Sequence, residues 1–267
     1  NALGILDFEA ALREGKSGLC HWMEMAELGM VCQVAGIPPV DARVERYFTE
    51  EQRHGMNSIV QHGATAAMEA WLDAGLPLPS VESAPDWNSG AILGTGAGGI
   101  ETVAKSLIPH CQAQSLRRLG STVVENFMGS CVAAKVGGLL GLGNWVSANS
   151  SACSTGTEAV ILASEWIRHG RADRMLAGGA EGSSAYPWAA FDAMRLLHRA
   201  SNEHPEAASR PMSRSAQGFI PSAGAGVLVL ESLTSASRRH ARIYAEMRGG
   251  ALACGGHRNG GSMTAPN

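Results

Sequence analysis

The chain has 267 residues, of which 45% are hydrophobic, 17% charged and 5% aromatic, with 33 glycines and a formal net charge of −3. This apolar fraction is ordinary for a globular core, and the small net charge excludes a disordered polyelectrolyte and makes nucleic acid a poor default partner. Glycine exceeds its usual share of about 7%. The composition therefore predicts a compact, glycine-rich α/β protein in which backbones approach each other closely.

The sequence predicts neither a membrane span nor a disulfide scaffold. Its long uncharged stretches are interrupted by serine, asparagine and glycine, and it opens without the basic-then-apolar layout of a signal peptide. The cysteines show no C-x-x-C or Cys/His ligand spacing, so we expect no structural zinc; they are Cys20, Cys32, Cys111, Cys131, Cys153 and Cys254. A reducing, cytoplasmic compartment fits this cysteine usage best.

Helical spacing of apolar residues predicts the first two elements. A helix runs through Phe8 to Leu12, in a segment that stops at residues 16–18. A longer helix covers Glu50 to Ala74, with Gly75 where a C-cap belongs. The proline-rich residues 77–87 predict a surface loop.

The centre of the chain predicts strands that alternate with helices. Residues 89–99 form a short buried strand that enters a glycine turn, residues 137–143 a tight connector, and residues 144–153 a second strand. A strong helix follows from Ser154 to His169, closed by Gly170. Further apolar runs predict strands at residues 172–181, 224–232 and 242–254, with a basic helical stretch at residues 235–239. This alternation is typical of a mainly parallel, covered sheet in a layered α/β domain.

The turn Gly94–Gly99 satisfies the pattern G-x-G-x-x-G between a strand and a helix. Amides at such a turn can hold a phosphate, which keeps a nicotinamide-dependent oxidoreductase as one alternative. That function also needs an acidic residue about 20 positions later for the ribose, and residues 110–121 contain none. A glycine turn that allows close packing is therefore the preferred interpretation.

Cys153 lies between a predicted strand and the first turn of a helix. Unpaired amides there favour the thiolate, which is the nucleophilic form of cysteine. Ser154 and Thr155 can cap the helix. A buried structural cysteine explains the position equally well, and no partner can be assigned among the nine histidines, each of which favours a surface or packing role.

An ordered series of motifs decides between these alternatives. The chain reads SSACSTGTEAVILASEWIRHGRADRMLAGGAE, then AASRPM, QGFIPSAGAGVLVLESL, ARIYAEMRGGALACGG and GGSMTAPN. This series resembles the β-ketoacyl-acyl-carrier-protein synthases, the elongating condensing enzymes of type II fatty acid and polyketide synthesis. The resemblance implies a thiolase-like αβαβα fold made of two related halves. Residues 1–239 would form the nucleophile-bearing first half and residues 240–267 the start of the second.

The resemblance also implies a reaction and its partners. Cys153 would take an acyl group from an acyl carrier protein, and a decarboxylated malonyl unit would then attack the acyl-cysteine in a Claisen condensation. The backbone N–H of Cys153 would contribute to the oxyanion hole. No resident cofactor or metal is implied, since phosphopantetheine arrives on the carrier. A homodimer or a heterodimer of condensing enzymes is expected.

Further roles follow from positions that match the family. Ala97 and Phe191 would line the acyl pocket, and the small Ala97 predicts room for medium to long acyl primers. The predicted docking residues for the acidic carrier are Arg117, Arg118, Arg195 and Arg53. A merely solvated basic face is the alternative for these arginines.

The chain also departs from the family pattern. The family's two active-site histidines, a lysine and a gating loop belong to the second half, and the first strand is expected before the opening NALG, so the chain resembles a first half trimmed at both ends. Ser215 to Gln217 and Ser222-Ala223 stand where the family often carries charges. A non-catalytic partner subunit that sets chain length is the alternative function, and the presence of Cys153 argues against it.

Overall fold

The computed structural model of the chain describes residues 2–39 and 41–253. The strands are β1 (Leu19–His21), β2 (Val34–Gly36), β3 (Ser89–Gly94), β4 (Val146–Ser147), β5 (Arg174–Glu181) and β6 (Gly224–Glu231). The α-helices are α1 (Ile5–Glu14), α2 (Met23–Glu27), α3 (Asp41–Tyr47), α4 (Glu50–His54), α5 (Ser58–Asp73), α6 (Ile100–Thr102), α7 (Ile108–Gln112), α8 (Val123–Phe127), α9 (Cys131–Leu139), α10 (Thr155–Arg168), α11 (Ala185–Ala193) and α12 (Leu233–Arg238). None of the helices within these ranges is long and apolar enough to cross a membrane.

The main sheet has four strands in the order β4-β3-β5-β6. Strand β3 pairs in parallel with β4 and β5, whereas β5 and β6 are antiparallel. In register, Ile92 lies opposite Ala177, and Ala177 lies opposite Leu228. The prediction of a mainly parallel sheet is therefore confirmed, with one antiparallel edge strand.

Both faces of this sheet are covered by helices, as its continuously apolar strands predict. Ala91 and Leu93 of β3 point into a core shared with α5 and α9. The intervening Ile92 packs on the other face, against Ala159 and Ala163 of α10. All six residues of β3 are buried. The described residues thus form a helix–sheet–helix sandwich.

A second, smaller core lies beside this sandwich. Strands β1 and β2 form a two-stranded antiparallel sheet, and buried side chains from α2, β2 and α11 pack with it. The rings of Trp22 and Trp188 meet edge to face with centroids 5.1 Å apart. This core holds α11, the helix that carries Phe191.

The structure confirms three predicted strands, two predicted helices and one predicted loop. The strands at residues 89–94, 174–181 and 224–231 form where the apolar runs predict them, and α10 ends before Gly170, whose φ is +68°. The loop at residues 77–87 is also present. The first helix is confirmed, but it ends at Glu14 with the left-handed Gly15 as its C-cap, two residues earlier than predicted.

The prediction of one helix from Glu50 to Ala74 is wrong. The chain forms α4 and α5, separated at Gly55. Thr49 forms a reciprocal capping box that begins α4, and the side chain of Asn57 caps α5 by accepting from the N–H of Val60. Thr49 would begin a continuous helix equally well, so the split comes from Asn57 within the stretch, which starts a second helix by accepting from an amide that a continuous helix would pair internally.

Two predictions on either side of β4 are wrong in extent. The connector predicted at residues 137–143 is shorter, because α9 continues to Leu139 and the turn is made around Gly141, whose φ is +58°. The strand predicted at residues 144–153 is reduced to Val146–Ser147. Strand β4 has one neighbour, β3, and the chain leaves the ladder to form the turn that carries Cys153.

The strand predicted at residues 242–254 is also wrong over its described part. Residues 242–253 form neither helix nor strand, since no neighbouring strand within the described ranges pairs with them. Instead, Tyr244 donates a hydrogen bond to Asp73 at the end of α5, 3.1 Å away. Cys254 and the motif GGSMTAPN lie outside the described residues. The division at residue 239 stays a prediction.

Candidate active site

The candidate site lies at the carboxyl edge of the parallel strands. Strand β3 ends at Gly94, β4 at Ser147 and β5 at Glu181, and these ends are neighbours in the sheet. The loops that follow carry the glycine turn Gly94–Gly99 and Cys153. In open α/β sheets this edge is the usual place for a ligand.

Cys153 is exposed in a single 3₁₀ turn, Ala152–Ser154, immediately before the 14-residue helix α10. Ala152 has a φ of +50°, so the backbone bends sharply just before the cysteine. Thr155 Oγ1 donates to the carbonyl of Ala152 over 2.7 Å and accepts from the N–H of Ser151 over 2.8 Å. The bend is thus held by Thr155, whereas Ser154 makes no side-chain cap.

The glycine turn packs directly against the cysteine turn. The N–H of Thr95 donates to the carbonyl of Asn149 over 3.2 Å. Asn149 Nδ2 in turn donates to the carbonyl of Thr155 over 2.9 Å. A Cβ atom added at Gly94 would collide with both Asn149 and Thr155. These glycines serve close backbone packing, as the preferred interpretation predicted.

The amides of the glycine turn are occupied by a carboxylate of the protein itself. Glu181 Oε1 accepts a hydrogen bond from the N–H of Gly96, and both of its carboxylate oxygens lie 3.3 Å from Thr95 Oγ1. Burial raises the pKa of Glu181, and the Gly96 amide opposes that rise. Because an anion already fills the position that a phosphate would take, the geometry speaks against the nicotinamide alternative.

Of the histidines predicted on the long early helix, His62 is buried next to this turn. It is 4% exposed, and its Nδ1 donates to the backbone carbonyl of Glu181 over 3.0 Å. Burial lowers the pKa of His62, so the ring is a neutral packing group. No histidine in the described ranges hydrogen-bonds to Cys153.

The two predicted pocket residues lie on different elements. Ala97 is half-buried in the glycine turn, beside the residues that pack on the cysteine turn. Phe191 packs against the smaller core, where its ring meets that of Phe219 at 5.4 Å between centroids. Its helix, α11, contacts α6, the short helix that follows the glycine turn.

The predicted docking arginines fall into two groups. Arg117 and Arg118 are exposed on a 3₁₀ turn, and Arg195 is exposed at the end of α11 with a φ of +60°. None of these three guanidinium groups forms an ion pair within the described residues. Arg53 differs, because it pairs with Glu45 over 3.0 Å.

Comparison with known proteins identifies the family. Residues 25–236 match the family described as "Beta-ketoacyl synthase, N-terminal domain". The chain belongs to this family.

Named relatives agree with this assignment. The chain is 31% identical over 240 residues to 3-oxoacyl-[acyl-carrier-protein] synthase 2 of Vibrio harveyi, covering 90% of this chain and 56% of that protein. It is 33% identical over 218 residues to the chloroplastic 3-oxoacyl-[acyl-carrier-protein] synthase I of Arabidopsis thaliana, covering 80% and 45%. The chain spans about half the length of the curated relatives it matches.

Solved ketosynthase structures confirm the thiolase-like fold. A β-ketoacyl synthase from Burkholderia phymatum matches with a TM-score of 0.79 and 26% identity, over 89% of this chain and 57% of that one. A type II polyketide acyl-carrier protein in complex with its ketosynthase matches with a TM-score of 0.77 and 27% identity, over 91% of this chain and 58% of that one. The ishigamide ketosynthase/chain length factor matches with a TM-score of 0.80 and 26% identity, over 93% of this chain and 59% of that one.

Sequence reasoning missed two residues of the candidate site. Glu181 and Asn149 both hold the turns around Cys153, yet neither was assigned a role. One signal was available for Glu181, because an acidic residue that ends a buried parallel strand lies at the ligand edge of the sheet. Asn149 carries no such signal. The packing role favoured for the histidines is confirmed for His62, but its partner Glu181 could not be predicted.

Proposed function

We propose that the protein is the nucleophile-bearing part of a β-ketoacyl-acyl-carrier-protein synthase. The observation that carries the proposal is the exposed Cys153 at a sharp bend before α10, on the ligand edge of a ketosynthase fold. Family membership over residues 25–236 supports the same reaction.

The first step is acyl transfer to Cys153. The thiolate attacks the thioester carbonyl of an acyl group carried on phosphopantetheine, forming a new C–S bond, and the carrier thiol leaves with the electrons of the broken C–S bond. The thiol proton passes to solvent or to the departing thiolate. The N–H of Cys153, together with the amides that begin α10, would stabilise the negative charge that develops on the carbonyl oxygen.

The second step is the condensation. A malonyl thioester loses carbon dioxide, and the resulting carbanion attacks the acyl-cysteine, which releases the thiol of Cys153. No histidine in the described part of the chain hydrogen-bonds to Cys153. We therefore expect the groups that assist decarboxylation to come from outside the described residues, as the family resemblance implies.

The acyl chain would lie along the glycine turn. Ala97 presents only a methyl group there, so the pocket is expected to accept medium to long chains. Phe191 would contribute from α11, which contacts α6 directly after the turn. The reaction needs no resident cofactor, since phosphopantetheine belongs to the substrate.

The acidic carrier would dock on the exposed arginines. Arg117, Arg118 and Arg195 have no competing carboxylate within the described ranges, whereas the charge of Arg53 is already paired with Glu45. The likeness to a solved complex of an acyl-carrier protein with its ketosynthase supports this partner. We place the protein in the cytoplasm, in accord with its unpaired cysteines.

A second condensing-enzyme subunit would pair with this chain. Large apolar side chains are exposed along the helical region that follows the glycine turn; they are Ile100, Ile108, Leu116, Val124 and Met128. Exposed apolar surface of this kind is typical of subunit interfaces. A homodimer and a ketosynthase/chain length factor pair remain the two forms of this proposal.

Intact-mass analysis after incubation with an acyl-loaded carrier protein tests the function. We expect one acyl adduct, lost in Cys153→Ala and kept in Cys111→Ala, which removes another exposed cysteine. An adduct that survives Cys153→Ala would contradict the assignment. No adduct, even with the second half of the enzyme supplied as a separate chain, would favour the non-catalytic partner subunit.

A further inference from the structure

The carboxylate of Glu181 is turned into the glycine turn rather than towards a cation. It accepts from the N–H of Gly96 and lies 3.3 Å from Thr95 Oγ1 through both oxygens. No lysine or arginine of the described chain forms an ion pair with it. Burying a carboxylate is costly unless hydrogen bonds replace those to water. Glu181 would lose these replacements if it turned away from its amide and hydroxyl donors, so they fix its orientation.

Thr95 extends this hold along the turn. While its hydroxyl hydrogen points to Glu181, its Oγ1 accepts from the N–H of Gly98 over 2.9 Å and from the N–H of Ala97 over 3.3 Å. One carboxylate and one hydroxyl therefore satisfy three consecutive amides of the turn, those of residues 96–98.

The turn held in this way touches the residue before the nucleophile. A Cβ atom added at Gly96 would lie 3.1 Å from Glu181 Oε1 on one side and 3.7 Å from the carbonyl oxygen of Ala152 on the other. Gly96, although exposed, thus lies between Glu181 and the turn that carries Cys153. Any displacement of Gly96 would alter the space next to Cys153.

The main chain of Glu181 is itself fixed. His62 donates to its carbonyl over 3.0 Å, and Glu181 pairs with Gly224 in the ladder between β5 and β6. Two residues further on, the N–H of Ser183 donates to Ser58 Oγ over 2.9 Å. The carboxylate is therefore held by a rigid strand end, and the turn depends on it.

We infer that Glu181 is a positioning residue for acyl transfer to Cys153, which holds the amide of Gly96 directly and those of residues 97 and 98 through Thr95, and thereby places Ala97 as the pocket wall. This inference rests on the proposed function and deepens it. Glu181 does not touch the reacting atoms, so its loss should impair the reaction that needs the pocket and spare the intrinsic reactivity of the thiol.

Two reactions of Cys153 in the full chain separate these effects. Acyl transfer from an acyl carrier protein requires the pocket, whereas alkylation by iodoacetamide requires only an accessible thiolate. For Glu181→Ala we expect acyl transfer to fall about tenfold while alkylation changes less than about twofold, since the loss is that of hydrogen bonds to a charged group. Glu206→Ala, at an exposed carboxylate, should change neither rate.

Conservative variants sharpen the test. Glu181→Gln keeps one oxygen that can accept from Gly96 and should recover most of the lost acyl transfer. Thr95→Val keeps the shape and removes the hydroxyl that accepts from the amides of residues 97 and 98, so it should lower acyl transfer at least as much as Glu181→Ala. Deuterium exchange of the peptide spanning residues 94–99 should accelerate in Glu181→Ala and return towards the wild-type rate in Glu181→Gln. These two variants carry the test if Glu181→Ala fails to fold.

Several results would overturn the inference. Unchanged acyl transfer in Glu181→Ala would do so, as would a parallel fall of acyl transfer, alkylation and thermal stability, which would indicate a merely structural role. If the wild-type chain forms no adduct at all, the proposed function fails. In that event faster deuterium exchange of residues 94–99 in Glu181→Ala still supports the conclusion that Glu181 stabilises the glycine turn, and unchanged exchange refutes it.

Discussion

The two edges of the main sheet are held by different kinds of interaction. At the amino edge, Arg174 lies between Asp86 and Glu231, with N–O distances of 2.8 and 3.4 Å. Arg239 then binds Glu231 at 2.5 Å and donates to the carbonyl of Ala74 at 2.6 Å. Charged side chains in alternation thus join β3, β5, β6 and α12 at this edge.

The carboxyl edge uses main-chain amides instead. Its one central carboxylate, Glu181, is satisfied by Gly96 and Thr95, and no arginine or lysine in the described residues binds it. Small turns held by amides leave room beside Cys153, which long ionic side chains would fill.

Ion pairs also occur near the carboxyl edge, where Lys105 binds Glu24 at 2.7 Å and Glu101 at 3.3 Å, but they lie beyond the glycine turn. Ion pairs thus join the strands at the amino edge, whereas hydrogen bonds to backbone amides shape the turns where the chemistry is proposed.

The largest expected effect is at the amino edge. Glu231 is 7% exposed and accepts from two arginines, so Glu231→Gln leaves both guanidinium groups incompletely paired. We expect a loss of about 3 kcal/mol in the free energy of unfolding. Urea denaturation measures it, with Glu246→Gln, at an exposed glutamate, as the control expected to stay within about 0.5 kcal/mol. If the alkylation rate of Cys153 fell as well, the separation of the two edges would be refuted.

The next largest expected effect is a loss of stability at the amino edge in acid. Burial alone would raise the pKa of Asp86, but hydrogen bonds from Ser89 and Arg174 outweigh it, and the pKa lies below its ordinary value. The pKa of Glu231 is likewise lowered, because hydrogen bonds led by Arg239 outweigh its burial. Lowered carboxyl pKa values contribute stability above the ordinary value of about 4 and lose it as the pH falls through the folded-state values.

The carboxyl edge should respond with the opposite sign. Burial raises the pKa of Glu181, so its ionisation costs stability as the pH rises through that value. Because Asp86 and Glu231 lose their contribution in acid, the urea midpoint of the wild type should decrease as the pH falls below about 4. The decrease should be less steep in Glu231→Gln, which lacks one of these two carboxylates. A Glu231→Gln chain with an unchanged acid slope would show that the amino edge is not the acid-sensitive one.

The central strands and the position of Cys153 before a helix could be predicted because local pattern determines them, whereas its role as a nucleophile was implied only by the family resemblance. The continuous apolar run of β3 and the helix that follows Cys153 need no knowledge of distant residues. The split between α4 and α5 was also visible in Thr49 and Asn57, but helical periodicity was given more weight than capping.

The hold on the glycine turn could not be predicted in the same way. Glu181 and Gly96 are 85 residues apart, and only the parallel pairing of β3 with β5 brings them together. The wrong prediction of a strand at residues 242–253 has a related cause. A strand requires a partner as well as a β-prone sequence, and pattern alone does not supply the partner.

A smaller effect is expected at Ala97, on selectivity rather than stability. Ala97→Ile adds methylenes to the wall of the proposed pocket, and each methylene of acyl chain thereby excluded is worth about 0.8 kcal/mol, or about fourfold in rate. Acyl transfer from carriers loaded with different chain lengths should shift towards shorter chains. Ala113→Ile, at an exposed alanine, serves as the control. Unchanged chain-length preference would contradict a pocket at the glycine turn.

The smallest effect is expected on α10, the helix that begins after Cys153 and packs on both central strands. Near its end, Glu165 pairs with Arg168 at 3.0 Å and with His169 at 3.9 Å, all three on the surface. Exposed pairs of this kind contribute less than about 0.5 kcal/mol, because water and salt screen them. Glu165→Ala should therefore leave the urea midpoint and the alkylation rate of Cys153 nearly unchanged. Because loss of a negative charge favours the thiolate, a faster alkylation would mean that charge at the far end of α10 reaches the cysteine turn, and the two edges would then be coupled through this helix.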